Sequence, residues 1–371
     1  MKGPRGRGRP VRVRAFSILP MMCAFGLGTA VVVAEVSDPR PLARIAFGSC
    51  ADQNKDQAIW EAVLAARPDL FIFAGDNIYG DTVDMQVMLA KYAKLAAQPG
   101  YQKLLEACPV LSTWDDHDFG LNDGGASYPK RNESARIHLD FFKVAADSPR
   151  RLREGIYGSQ RFGPAGQQVQ VILLDTRFFK SAALKDGRDA AQKTRLNLVG
   201  WYVANPDPAS TILGEAQWQW LEDQLRLPAQ WRLIVSSTQV IADEKGMESW
   251  GNFPHERKRL YEVIRRSGAE GVVILSGDVH FAEISRTDDG PYPLFDFTSS
   301  GLSKVHPGWA AATNNHRVSP SAYAKPNFGL LEIDWNPKNP SISMQARGLS
   351  GEVAFELKVM LAALRAGRAK P

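Results

Sequence analysis

The sequence predicts an α/β chain built on two packed β-sheets. Two observations lead there. From about residue 44 to residue 280, short apolar runs alternate with amphipathic stretches, and several runs break at glycine just before a polar residue. From about residue 292 the alternation gives way to strand candidates separated by Pro, Asn and Gly.

Ile45-Ala46-Phe47-Gly48-Ser49-Cys50 reads as a first strand ending at glycine. Ile59, Ala62, Val63 and Ala66 keep helical spacing, and Pro68 stops that helix before the strand Leu70–Ala74. Further apolar runs lie at Val110–Trp114 and Val169–Leu174. A helix over 214–226 sets Trp218, Leu221 and Leu225 on one face, and Leu233–Ser237 is the next strand. A helix over 256–266 carries Leu260, Val263 and Ile264 and precedes the run Val272–Ser276. The last part offers Leu294–Thr298, Phe328–Trp335, Ser341–Ala346 and Phe355–Val359. Residues 181–210 hold few periodic apolar positions and read as an excursion beside the site, the kind of long loop that forms a lid or substrate wall.

With 371 residues, 44% hydrophobic and 23% charged, the chain has material for a sizeable core. Its net charge of +5 misleads. Lys2, Arg5, Arg7, Arg9, Arg12 and Arg14 precede any acidic residue, and without them 39 basic residues face 40 acidic ones. No basic surface for nucleic acid remains. The basic start, the apolar run Ala15–Ala34 and Val32-Val33-Ala34 read as an export signal over residues 1–34, or as an anchor if it is retained. Either way residues 35–371 are expected outside the cytoplasm, periplasmic or secreted, with a membrane partner only if the segment stays. Removal of the segment leaves Cys50 and Cys108, so a disulfide between them stands as the alternative to a free thiolate at Cys50.

Three polar clusters sit at strand ends, where open α/β sheets place their ligands. Asp76-Asn77-Ile78-Tyr79-Gly80-Asp81 offers a carboxylate able to bridge two cations and a phenol in the adjoining turn. A phenolate ligand points to a strongly Lewis-acidic ion such as Fe(III), because phenol ionises reluctantly near neutral pH. Trp114-Asp115-Asp116-His117-Asp118-Phe119-Gly120-Leu121-Asn122-Asp123 packs carboxylates, an amide and an imidazole that repel one another unless cations neutralise them. Its oxygens suit a hard ion such as Ca²⁺ or Mg²⁺, and His117 is the natural proton donor. In Gly277-Asp278-Val279-His280, alternate residues of an extended segment face the same way, although Asp-x-His alone is a weak signal.

Taken in order, Gly-Ser-Cys (48–50), Gly-Asp-Asn-Ile-Tyr-Gly-Asp (75–81), Thr-Trp-Asp-Asp-His-Asp (113–118), Leu-Asp-Thr-Arg (174–177) and Ser-Gly-Asp-Val-His-Phe-Ala (276–282) resemble the PhoD-type alkaline phosphatases. These are a branch of the calcineurin-like metallophosphoesterases. The resemblance runs from about Arg44 to Gly301. It implies a single domain over 35–371 with the metallophosphoesterase four-layer sandwich, two packed mixed sheets flanked by helices. Metallophosphoesterases usually open with Asp-x-His, and here Cys50 takes the place of an iron ligand. The resemblance further assigns Asp76 as the bridging carboxylate, Tyr79 as the tyrosine ligand, and Asn122 as an amide ligand for calcium. Asp116 and His117 stand where the superfamily has Asn-His, which gives His117 the acid's role. Asp278 and His280 replace a Gly-His-x-His.

The implied cofactors are Fe(III) and Ca(II), with other divalent metals as alternatives. Gln239 falls where relatives carry a ligand histidine, and it either touches the metals or lines the pocket. Arg177 either clamps a phosphate oxygen or makes a structural pair with a neighbour. The function so implied is exported, metal-dependent hydrolysis of phosphate monoesters, diesters or both, with a small phosphate ester as partner. Two rivals stand beside it: a diester-specific phosphodiesterase or phospholipase, and a metal-containing binding protein without turnover.

Overall fold

The computed structural model describes Met1, Gly3 and residues 40–367. The expected export segment therefore lies, apart from those two residues, outside the described ones. Among the latter, no helix is long and apolar enough to cross a membrane. The chain divides into two compact units, Met1–Val33 and Ala34–Pro371, and every described strand and helix belongs to the second.

In chain order the strands are β1 (Arg44–Gly48), β2 (Leu70–Ala74), β3 (Val110–Thr113), β4 (Gly158–Phe162), β5 (Val169–Leu173), β6 (Leu184–Lys185) and β7 (Tyr202–Val203). After these come β8 (Trp231–Val235), β9 (Val272–Ser276), β10 (Ala282–Thr287), β11 (Leu294–Ser299), β12 (Phe328–Asp334), β13 (Ser341–Arg347) and β14 (Val353–Met360). One six-stranded sheet has the order β14-β13-β12-β1-β2-β3 and the other β10-β11-β9-β8-β5-β4, while β6 and β7 form a separate hairpin. Both sheets are mixed. β1, β2 and β3 are parallel to one another, as are β5, β8, β9 and β11, and the remaining pairs are antiparallel.

Parallel strands covered on both faces read as unbroken apolar runs, and the alternation of side chains sorts each run into two layers. In β1 and β2, Ile45, Phe47, Leu70 and Ile72 join the core between the sheets, with Val171, Leu233 and Val273 from the other sheet. Phe47 meets Phe297 edge-on at 5.0 Å across that core. The intervening Ala46, Phe71 and Phe73 turn outward to a second cluster, where Trp60 lies 5.3 Å and 5.8 Å from the two phenyl rings. The helices Ile59–Ala65, Met85–Ala96 and Pro99–Ala107 supply that cluster's other side. On the far sheet the helices Gly214–Leu225 and Pro254–Ser267 present Trp218, Leu221, Leu260 and Ile264. The result is the expected helix–sheet–sheet–helix sandwich.

The strand-rich part from about residue 292 does not stand apart: β11 enters one sheet and β12, β13 and β14 complete the other. The structure adds helices over Met85–Ala96, Pro99–Ala107 and Arg131–Phe141 and strands β4 and β10 to the elements expected from the sequence. β10 hides behind its charges, because Glu283 is fully buried there against Lys245 and Arg317.

The strand ends are held close together by tight turns. Gly75 has φ 101°, and a Cβ on it would lie 2.6 Å from Cβ of Asp115, beyond the end of β3. Gly75→Ala is expected to cost about 2–4 kcal/mol, combining the left-handed backbone penalty with overpacking. A urea titration showing a loss below about 1 kcal/mol would contradict this reading of the turn.

Candidate metal centre

The turns after β1, β2, β3, β5 and β9 converge. Cys50 lies just past β1, Asp76 and Tyr79 past β2, Asp115 to His117 past β3, and Asp278 and His280 past β9. Nine described non-glycine residues have positive φ, and six of them are Cys50, Asp76, Asp81, Asp123, Asp278 and His280. Such conformations cost about 1–3 kcal/mol each and concentrate where function holds a side chain in place.

Cys50 and Cys108 are both free and buried, so the disulfide alternative is not realised. The Cys50 thiol lies 3.4 Å from Asp76 Oδ2 and 3.1 Å from Ser300 Oγ. Tyr79 donates its phenolic hydrogen to the same Asp76 oxygen at 3.3 Å. Burial pushes the Cys50 thiol up to about 11 and holds the Tyr79 phenol well above its ordinary value, with Cys50 and Asp76 adding to the effect on Tyr79.

Donor oxygens of Asp76, Asp115, Asp116 and Asp278 all lie within 4.8 Å of one another. Burial, reinforced by the neighbouring acidic groups, raises Asp76 and Asp278 well above the carboxylate range. Asp115 rises to about 7, again through burial, although Arg177 opposes it. Asp116 moves the other way: against its burial, Arg177 and His117 hold its carboxyl below the usual range. Its Oδ2 also accepts from the Asp123 amide at 2.6 Å.

Asp118, in the same cluster, points away from this group. It accepts from the Asp115 amide at 2.6 Å and from Asn77 Nδ2 at 2.5 Å, tying the turn after β3 to the turn after β2. His117 Nδ1 sits 2.8 Å from both oxygens of Asp81, and its ring lies 4.3 Å from that of Tyr79. Burial disfavours its proton, but the Asp81 hydrogen bond and Asp116 outweigh burial and raise its affinity. His280 is driven by burial down to about 3 and stacks on Trp309 at 5.0 Å.

The donor set fits metal ions. Asp76 Oδ1, Asp115 Oδ2 and His280 Nδ1 are buried and have no hydrogen-bond partner among the described residues. Orphaned acceptors in a crowd of carboxylates are costly unless a cation serves them. A cavity of about 100 Å³ opens on the group, lined by Asp116, Asn122, Asp123, Glu248, Asp278 and His280 on its polar side.

Two expectations are answered by geometry. Arg177 has 0% exposure. Its Nε donates to Asp115 at 2.6 Å, Nη1 pairs with Glu248 at 2.6 Å, and the guanidinium is not part of the cavity lining. Gln239 neither lines the cavity nor faces the donors. Its amide is engaged by Glu283, Thr298 and Lys245 at 2.9, 2.9 and 3.0 Å. Sequence reading missed Glu248, Lys180 and Lys304. Glu248 pairs with Arg177 and Lys180, and the Lys304 ammonium sits 3.8 Å from the Tyr79 ring centre. Glu248 and Lys304 lie in loops with no motif around them, and Lys180 lies just past the Leu-Asp-Thr-Arg run.

Alkaline phosphatase D of Bacillus subtilis (strain 168) is 22% identical over 283 residues, covering 65% of this chain and 46% of that protein. The chain thus spans about half the length of this curated relative. A solved structure of PhoD superposes with a TM-score of 0.66 at 16% identity, covering 91% of this chain and 73% of the other. A dimetal phosphatase from Danio rerio gives a TM-score of 0.49 at 16% identity, over 86% of this chain and 99% of that one. Residues 45–336 match the PhoD-like phosphatases, and the chain belongs to that family.

Proposed function

We propose that this chain is an exported metal-dependent phosphoesterase that cleaves phosphate monoesters, diesters or both. The observation that carries the reading is the buried group of four carboxylates, a thiol, a phenol and two imidazoles at converging strand ends, with orphaned donors facing one another. Cys50, Asp76, Tyr79 and His280 would hold Fe(III). The buried thiol and phenol would ionise readily only beside a strong Lewis acid, and a phenolate oxygen with a thiolate sulfur suits Fe(III). Asp116, Asn122 and Asp278, together with Asp76 as a shared carboxylate, offer the hard oxygens that suit Ca(II). When bound, such ions supply charge to polarise the phosphoryl group and to activate water.

The chain's own residues do the rest. His117, held by Asp81 through Nδ1, presents an imidazole whose hold on a proton Asp81 and Asp116 strengthen against burial, and from which a proton can pass to a departing alkoxide. Tyr79 and Lys304 flank it, and the ammonium adds positive charge where a phosphoryl oxygen would approach. Arg177 acts as a positioning residue. It fixes Asp115 and Glu248, and through them the wall of the cavity.

Three outcomes are expected. Protein isolated without added chelator should contain iron and calcium and show a visible charge-transfer band that Tyr79→Phe shifts or removes. A colourless, fully metallated protein holding zinc alone would contradict the iron assignment. Asp76→Asn should lose activity and bound metal while keeping its circular dichroism; turnover within about tenfold of wild type would remove Asp76 from the bridge. His117→Ala should retain metal and slow alkyl phosphate esters by roughly 10²–10⁴. It should slow p-nitrophenyl phosphate much less, since that leaving group needs no proton, and equal losses on both would refute the acid role. The ratio of rates on matched monoesters and diesters separates the phosphatase from the diesterase, and a full metal complement with no hydrolysis of either would favour a binding protein.

A further inference from the structure

We propose that Trp201 is the platform on which the organic group of the substrate stacks, and that this group is a flat, uncharged aromatic ring of the nucleobase kind. The inference rests on the phosphoesterase reading and adds the substrate class to it.

The cavity lining combines two chemistries. Together with the carboxylates and His280 it carries Trp201, Tyr202, Met247 and Trp309. Trp309 is already committed, stacking on His280 at 5.0 Å and on His306 at 4.4 Å. Trp201 meets Trp309 edge-on at 6.2 Å and an interplanar angle of 83°, and it remains 49% exposed. It is therefore the aromatic ring of this wall with area left to give.

Its position is also fixed in advance. The Asp186 amide donates to the Trp201 carbonyl at 2.8 Å, joining β6 to β7. On the other side, the Gly200 and Tyr202 amides donate to Lys245 and Gly246 at 3.1 and 2.8 Å. A Cβ on Gly200 would fall 1.9 Å from the Gly246 carbonyl oxygen, so only glycine permits this approach. Next in the chain, the Tyr202 hydroxyl donates to Asp123 Oδ2 at 2.5 Å, which ties the hairpin to the cavity's polar side. A rigid, half-open indole loses little freedom on binding, which favours stacking.

The charges around the cavity select against a second anionic group. Asp116, Asp123 and Glu248 line it, and a carboxylate or further phosphate beside Trp201 would face them. An uncharged ring meets no such opposition.

The test is calorimetric titration of the full chain, isolated with its metals, with the methylene-phosphonate analogues of adenosine 5′-phosphate and ribose 5-phosphate. Both carry the same anion on the same sugar and resist hydrolysis, so only the base differs. The adenosine analogue is expected to bind about tenfold tighter, the scale of stacking one base on an aromatic ring. Trp201→Ala should bring the two affinities within about threefold, and Trp201→Phe should keep most of the difference. Equal affinities in the wild type, no binding of either analogue, or a preference that survives Trp201→Ala would overturn the proposal. Hydrolysis of p-nitrophenyl phosphate or of its bis(p-nitrophenyl) diester by the same preparation decides the phosphoesterase reading separately.

Discussion

Four carboxyl groups brought within 4.8 Å of one another would repel by roughly 3–4 kcal/mol per pair at an effective dielectric constant near 20 if all were ionised. The fold answers that repulsion from one side with Arg177. The guanidinium is wholly buried, pairs with Asp115 at 2.5 Å and Glu248 at 2.6 Å, and reaches Asp116 at 4.0 Å. Asp115 is fixed further by Ser237, which donates to the same oxygen at 2.5 Å. Arg177 does not serve Asp76, which keeps an orphaned oxygen, and Asp278 stays raised by burial and by its acidic neighbours. The cluster is thus compensated on the protein side and left open on the cavity side, which is the asymmetry a cation site requires.

The same asymmetry organises the surroundings. Asp118 is drawn out of the cluster into hydrogen bonds that lock two turns together. Strain accompanies it, since Asp76, Asp278, Cys50 and His280 all hold left-handed backbones that the packed sheets beneath must maintain. The aromatic part of the cavity lining comes from elsewhere in the chain. Its hairpin comes from the 181–210 excursion and is fastened to the loop that carries Lys245, Gly246 and Glu248. That loop therefore serves both sides of the cavity.

Much of this was legible in the chain. Strand runs such as Leu70–Ala74 and Val272–Ser276 announced themselves because strands buried on both faces leave no polar residue to interrupt them. Cys50, Asp76, Tyr79, Asp116, Asp278 and His280 were readable as site candidates because a parallel strand must end, and the residues just past its carboxyl end meet those of its neighbours on a shared rim. β10 was not readable, because Glu283, Lys245, Arg317 and Gln239 satisfy one another inside the protein, and a buried polar network looks like a solvated loop in one dimension.

By itself, then, the sequence determined the layered α/β sandwich and the set of donors, since periodicity and strand-end placement are local properties of the chain. The tertiary structure alone decided what each polar group is for. Arg177 and Gln239 could equally have faced a substrate, and the structure turns them inward to Asp115, Glu248 and Glu283. It likewise leaves Cys50 a thiol beside Asp76 and sets Trp201 in the same cavity lining as Asp116 and Asp278. Charge pairing and exposure depend on partners tens of residues away, such as Arg177 and Asp115 at a separation of 62, and no local pattern encodes them.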